Sequence, residues 1–441
     1  MDTSVFDRAA TAIGRVPVRF PVGRVQSVGQ SHVIVSGLDR VSRLGDPVQI
    51  DSDGLARSGE IAHLDGGLAR VMLDGPAEGL AAGAVVRLLQ RPAFAPDISW
   101  IGRVIDPDGL PLDGKPLFSG DIARSLQTQP PAAHERRALG HRLDTGIAVF
   151  NTLLPLVRGQ RIGLFAGSGV GKSTLIADLA RGIDADVIVI ALVGERGREV
   201  RHFVDDVLGP EGMARAVVVA ATSDRAAQVR KRCALSAMTI AEHFRDLGHN
   251  VMLFVDSVTR FCEAHRELAV IAGEGTALRG YPASTAPAIA GLCERAGPGV
   301  HGTGDITAVF SVLVAGSDME EPVADMLRGV LDGHVVLDRA IAERGRFPAV
   351  DVLRSVSRSL PAAATTVENA TIAATRSLMG SYANAELMIQ AGLYARGSDP
   401  TIDAAIACHD QLETFLAQTD GRKAEAHFAQ LRQIVTQARQ A

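Results

Sequence analysis

Residues 161 to 180, RIGLFAGSGVGKSTLIADLA, carry the densest chemistry in the chain. An apolar run ending at Ala166 leads into glycines at 167, 169 and 171, then Lys172, Ser173 and Thr174, then an amphipathic run. That order reads as strand, loop, helix. Without a Cβ, glycine lets the backbone enter positive φ, so Gly167, Ser168, Gly169, Val170 and Gly171 can turn successive N–H groups into one anion-sized concavity. A helix starting near Lys172 adds its dipole and unpaired amides. Lys172 supplies positive charge to the terminal phosphates of a nucleotide, and the Ser173 hydroxyl is placed to ligate Mg2+. The usual spacing, G-x-x-x-x-G-K-[ST], has one departure, because Ala166 stands where its first glycine would be.

In a parallel α/β sheet, ligands bind beyond the carboxyl ends of the strands, which directs attention to two further strand tips. The run VMLFV ends in Asp256, whose carboxylate can hold a magnesium-bound water or cap the following helix. The run VIVIALV leads into GERGREV, where Glu195 can orient the water attacking a γ-phosphate and Arg196 can steady the phosphate or that carboxylate. Arg260, one turn after Asp256, faces either nucleotide or solvent. RFPAVDVLRSVSRSL offers Arg358 on a Ser-Arg-Ser turn as a charge-stabilising arginine, and Phe347 as a ring to stack on a base. Residue types alone favour ordinary surface or core duty for both.

The elements that must hold these residues follow from patterning. Residues 17–95 read as short β runs separated by turn signals, a small β-barrel. Its sparse aromatics offer few platforms for stacking nucleic-acid bases, so the expected role is a structural collar. Residues 96–140 read as a turn-rich connector. Residues 141–360 alternate helices with near-continuous apolar strands at 161–166, 187–193, 216–221, 251–255, 306–314 and 334–337, which implies a mostly parallel, doubly wound α/β core. A helix is expected over 224–247. From 361 to 441 the pattern is helical, with Asp399-Pro400 opening one helix. Residues 1–16 have helix-like apolar spacing, which suits either a partner-binding helix or a frayed terminus.

Composition sets bounds. The 441 residues are 46% hydrophobic and 22% charged, as in an ordinary globular protein. A net charge of −5 and a pI near 6.2 argue against a general nucleic-acid surface. Cys233, Cys262, Cys293 and Cys408 are widely spaced, which suggests neither a zinc site nor a disulfide framework and points to a cytoplasmic chain.

Taken together, GLFAGSGVGKSTL, LVGERGREVRHFVDD, LFVDSVTRF, RGYPAS, LDGHVVLDRAIAERGRFPAVDVLRSVSRS and GLYARGSDPTID resemble the ATPases of type III protein export, relatives of the rotary ATP synthase catalytic subunit. The resemblance runs from about residue 20 to 410. Within it the flagellar branch fits best and the injectisome branch is a near twin. Ala166 is the family's usual residue at that position. The resemblance implies a P-loop ATPase working as a homohexamer with Mg-ATP at subunit interfaces: Gly167 to Thr174 as phosphate loop, Ser173 and Asp256 at the metal, Glu195 as catalytic carboxylate with Arg196 beside it, Arg358 reaching the next subunit's nucleotide, and Phe347 against adenine. It further implies a stator-like regulatory protein at the N-terminal helix, a central stalk protein, chaperone–cargo complexes, and peripheral association of the chain with the export gate at the inner membrane. EGTALRGYPAS departs from the proline-richer loop of relatives, which puts a stalk contact there in doubt. A noncatalytic rotary subunit would be expected to lack Glu195, and a ring RNA translocase would need nucleic-acid contacts in the barrel.

Overall fold

The computed structural model describes residues 19–52, 54–91, 93–277, 280–314 and 319–438. The expected partner-binding helix at 1–16 lies outside the described residues. The described residues divide into two compact units, one formed by those up to Ala93 with Arg225–Val229 and Glu267–Gly275, the other by those of Phe94–Asp224, Arg230–Arg266 and from Thr276 onward.

The first unit is a closed barrel of six strands, β1 (Val22–Val28), β2 (His32–Ser36), β3 (Pro47–Ser52), β4 (Leu55–Asp65), β5 (Leu68–Leu73) and β6 (Val85–Leu88), ordered β1-β2-β5-β4-β3-β6. β6 pairs back onto β1, so no edge is left to recruit another strand. Alternation puts Val33 and Val35 of β2 and Val48 and Ile50 of β3 inside, and the buried core is aliphatic throughout.

The second unit is built on a mostly parallel sheet ordered β17-β16-β8-β15-β11-β9-β10-β7. Its parallel strands are β7 (Arg103–Ile105), β8 (Arg161–Ala166), β9 (Val187–Glu195), β10 (Ala216–Thr222), β11 (Val251–Asp256), β15 (Asp305–Leu313) and β16 (Gly333–Leu337). β17 (Val350–Ser357) joins antiparallel at the edge. The short β12 (Thr276–Ala277) and β13 (Tyr281–Pro282) pair with each other, and β14 (Gly297–Pro298) pairs with β15. All six expected strands are present. β7 and β17 are additional: β7 lies in the stretch read as connector, and β17 in a segment read only for its arginine and ring.

Main-chain burial explains the apolar runs. Residues 187–194 of β9 are all buried, because helices cover both faces. Among the described residues the helices of eight residues or more begin with α1 (Lys172–Gly182), α2 (Ala227–Asp246), α3 (Val258–Ile271), α4 (Thr285–Glu294) and α5 (Pro322–Val330). Three further helices follow: α6 (Thr366–Gln390), α7 (Pro400–Leu416) and α8 (Ala424–Ala438). A Thr365/Glu368 capping box opens α6, and Asp399 accepts from the amides of Thr401 and Ile402 to open α7 as expected. Among the described residues no helix is long and apolar enough to cross a membrane.

Candidate active site

Because β8, β9, β11 and β15 run parallel, their carboxyl ends share one edge of the sheet, and the phosphate loop, Glu195, Arg196 and Asp256 meet there. β8 ends at Ala166, whose carbonyl accepts from the Val314 amide at 3.0 Å and whose methyl is buried, so the pattern's first glycine is not required. Gly169 and Gly171 hold φ of 76° and 82°, which a side chain would resist. Gly167 does not need that freedom; a Cβ there would lie 3.7 Å from the Val314 carbonyl. Gly171 caps α1 without any side-chain hydrogen bond, leaving the first-turn amides to face the cavity. Ser168, Ser173 and Thr174 line that 840 Å³ cavity with the glycines and Lys172, whereas Val170 is buried and anchors the loop from behind.

Lys172 forms an ion pair with Asp256 and approaches Glu195 Oε1 at 4.0 Å. Asp256, 5% exposed at its side chain, also accepts from Ser311 Oγ on β15 at 2.6 Å. Glu195 ends β9 and lines the cavity. Burial, followed by the negative charge of Asp256, pushes its carboxyl up to about 7; Lys172 opposes the rise and a hydrogen bond with Glu199 adds to it. A carboxylic acid poised near neutrality, facing a lysine and a nest of amides, can accept a proton from a water attacking a bound phosphate.

Arg196 lines the cavity, with Nη1 3.5 Å from Glu199 Oε1. Arg260 faces the cavity too: it donates to Glu263 at 2.9 Å, and a Cβ on Gly194 would lie 3.3 Å from its Cβ. Phe347 lies against the phosphate loop, since a Cβ on Gly171 would sit 3.0 Å from its Cδ1. Arg358 is apart from all of these. Ser357 pairs with Gly333, while Leu337, four residues on, pairs with Ala166 at the tip of β8. Arg358 therefore lies about 15 Å along the strands from its own phosphate loop, at the opposite sheet edge. Its guanidinium donates to the Arg328 carbonyl at 3.3 Å.

Three contributors escaped the sequence reading. Ser311 is one hydroxyl in an apolar strand, and its adjacency to Asp256 appears only with the strand order. Glu199 is in the same GERGREV run, four positions after Glu195, in the short helix Gly197–His202 that follows β9. Glu263 follows Arg260 at i+3 and could have been found from that spacing.

Two family models match the chain: the ATP synthase alpha/beta family, nucleotide-binding domain, over residues 146–357, and the T3SS EscN ATPase C-terminal domain over 365–433. A flagellum-specific ATP synthase of Caulobacter vibrioides is 43% identical, the alignment covering 92% of this chain and 94% of that relative. A type 3 secretion system ATPase of Sinorhizobium fredii is 42% identical over 86% and 82% of the two chains. Among solved structures, the assembled ATPase EscN of the enteropathogenic E. coli type III secretion system superposes with a TM-score of 0.85 at 34% identity, over 94% of this chain and 100% of that one. The same ATPase in complex with its central stalk EscO superposes at 0.83, with the same identity and coverage.

Proposed function

The chain belongs to the type III export ATPases of the ATP synthase alpha/beta family, and from that premise we propose that it is the ATP-hydrolysing motor of flagellar protein export, releasing cargo from chaperones and unfolding it. The observation that carries this reading is the convergence of Lys172, Glu195 and Asp256 from three chain segments at one edge of the sheet.

Glu195 polarises a water and takes its proton as the water oxygen adds to the γ-phosphorus; the bond to the β–γ bridging oxygen breaks and ADP and phosphate leave. Lys172, released from Asp256 by the triphosphate, meets the developing charge, and the amides from Gly167 to Thr174 cradle the phosphates. Arg196 steadies the phosphate or Glu195. Ser173 and Asp256 are the residues that would hold Mg2+. They fit it: both offer hard oxygen donors, the Ser173 hydroxyl lining the cavity and the Asp256 carboxylate beside Lys172. When bound, Mg2+ neutralises charge on the phosphate oxygens.

Arg358 acts on the nucleotide of the next subunit in a homohexamer. Support comes from its distance from its own phosphate loop and from the assembled state of EscN. Phe347 stacks on adenine. A central stalk protein, as in the EscN–EscO complex, is the proposed axial partner. Chaperone–cargo complexes, a stator-like protein at residues 1–16 and the export gate complete the set, with the ring cytoplasmic and peripheral to the inner membrane. The injectisome reading is second, favoured by the likeness to EscN and to the Sinorhizobium fredii ATPase. The scarcity of aromatics in the barrel and the pI near 6.2 count against an RNA translocase, and Glu195 counts against a noncatalytic subunit.

The test is to replace the chromosomal gene with a Lys172→Ala form and to measure secretion of flagellar and injectisome substrates, beside phosphate release by the purified chain. Loss of hydrolysis with loss of flagellar secretion is expected. Normal flagellar secretion with injectisome secretion abolished would select the second reading.

A further inference from the structure

Phe347 is half exposed (49%), so its own packing does not explain where it sits. The chain just before it does. Arg346 is 7% exposed; its Nη2 donates to the Val350 carbonyl at 2.9 Å, and its Nε lies 3.0 Å from Glu413 on α7. Two residues earlier, Arg344 Nη1 lies 3.1 Å from Glu386 on α6. The loop that carries the ring is therefore tied to two C-terminal helices, while the ring itself lies against Gly171 in the phosphate loop.

The two ties differ in weight. Arg344 is well exposed, at 58% of its side chain against 32% for Glu386, and solvent screens their attraction. Arg346 is buried, where burial pulls its guanidinium below the ordinary value and Glu413 opposes that pull. Glu413 is 33% exposed, so only the arginine side of this pair is buried, and removing the carboxylate leaves that buried guanidinium without its counter-charge. Arg346 and Phe347 are adjacent, so a guanidinium that leaves its place to reach water draws on the same backbone that sets the ring.

We infer that Arg346, through its ion pair with Glu413, is a positioning residue that holds Phe347 at the phosphate loop to receive the nucleotide base, so that α7 sets the affinity for the base. This rests on the nucleotide reading of the cavity. Glu413 touches no ligand; it acts through Arg346 and the ring. Disturbing it changes what the base contributes to binding and leaves the triphosphate contribution as it was.

The test compares Mg-ATP with Mg-tripolyphosphate, which carries the phosphates without a base, on the full-length chain by equilibrium titration. Glu413→Ala is expected to weaken ATP about tenfold, the order of one base–aromatic stack, with tripolyphosphate affinity unchanged. Phe347→Ala should lose a similar factor, and the double variant no more than either alone, since both act through one contact. Glu413→Gln, which keeps the side chain's volume and an acceptor oxygen, is the variant to read should Glu413→Ala not fold, with a smaller loss of ATP affinity only. Equal losses for the two ligands, an unchanged ATP affinity, or additive losses in the double variant would overturn the positioning role and leave the nucleotide reading standing. Wild-type protein that binds neither ligand would overturn the nucleotide reading itself.

Discussion

Ser311 on β15 donates a 2.6 Å hydrogen bond to Asp256 Oδ1 on the adjoining parallel strand β11, at the tip where Asp256 also meets Lys172. The hydroxyl is fully buried. It fixes the carboxylate's orientation whether Lys172 is paired with it or drawn away to phosphate.

Ser311→Ala leaves the buried Asp256 short of one donor. A loss of about 1.5–3 kcal/mol in unfolding free energy is expected, the worth of a hydrogen bond to a charged group, measured by urea denaturation at neutral pH. The Mg2+ concentration needed for half-maximal hydrolysis should also rise. Unchanged stability together with an unchanged metal requirement would remove Ser311 from the site.

The raised Glu195 carboxyl predicts the pH profile. Below about 7 it holds a proton and cannot accept another, so kcat/KM for ATP should fall about tenfold per pH unit on the acid side and level off above. Glu199 adds to the rise, so Glu199→Gln should move the acid limb to lower pH. A profile flat from pH 5.5 to 8 would exclude Glu195 as the base.

For Arg358, the prediction is complementation between subunits. Arg358→Ala and Glu195→Gln should each be nearly inactive alone, the first by a factor of about 10³ or more. Mixed before assembly, they should regain activity, because an Arg358→Ala subunit keeps its own Glu195 and receives Arg358 from a Glu195→Gln neighbour. Mixtures no more active than the separate proteins would mean that Arg358 does not work across an interface.

Much of this site was legible without coordinates, for a physical reason. A phosphate loop depends on local spacing, and a parallel strand buried on both faces is a continuous apolar run, so Lys172, Ser173, Glu195 and Asp256 could be assigned to loop and strand tips from the chain alone. What depends on neighbours was not legible. Ser311 has meaning only once β15 is known to lie between β8 and β11. β17 escaped because it is an antiparallel edge strand with a mixed burial pattern and a register shift opposite His334 and Val336. β7, three residues among turns, is a strand only because β10 offers it a partner. Arg346 looked like any arginine, since nothing in its vicinity announces Glu413, 67 positions away.

The central claim is that Glu195 performs the chemistry on a nucleotide gripped by the phosphate loop. Its most direct test is Glu195→Gln, assayed in one preparation for Mg-ATP binding and for phosphate release. The account predicts ATP affinity within about twofold of wild type, because the loop amides and Lys172 are intact, and turnover lowered by about 10²–10⁴, the usual contribution of a general base. Hydrolysis at the wild-type rate would contradict it.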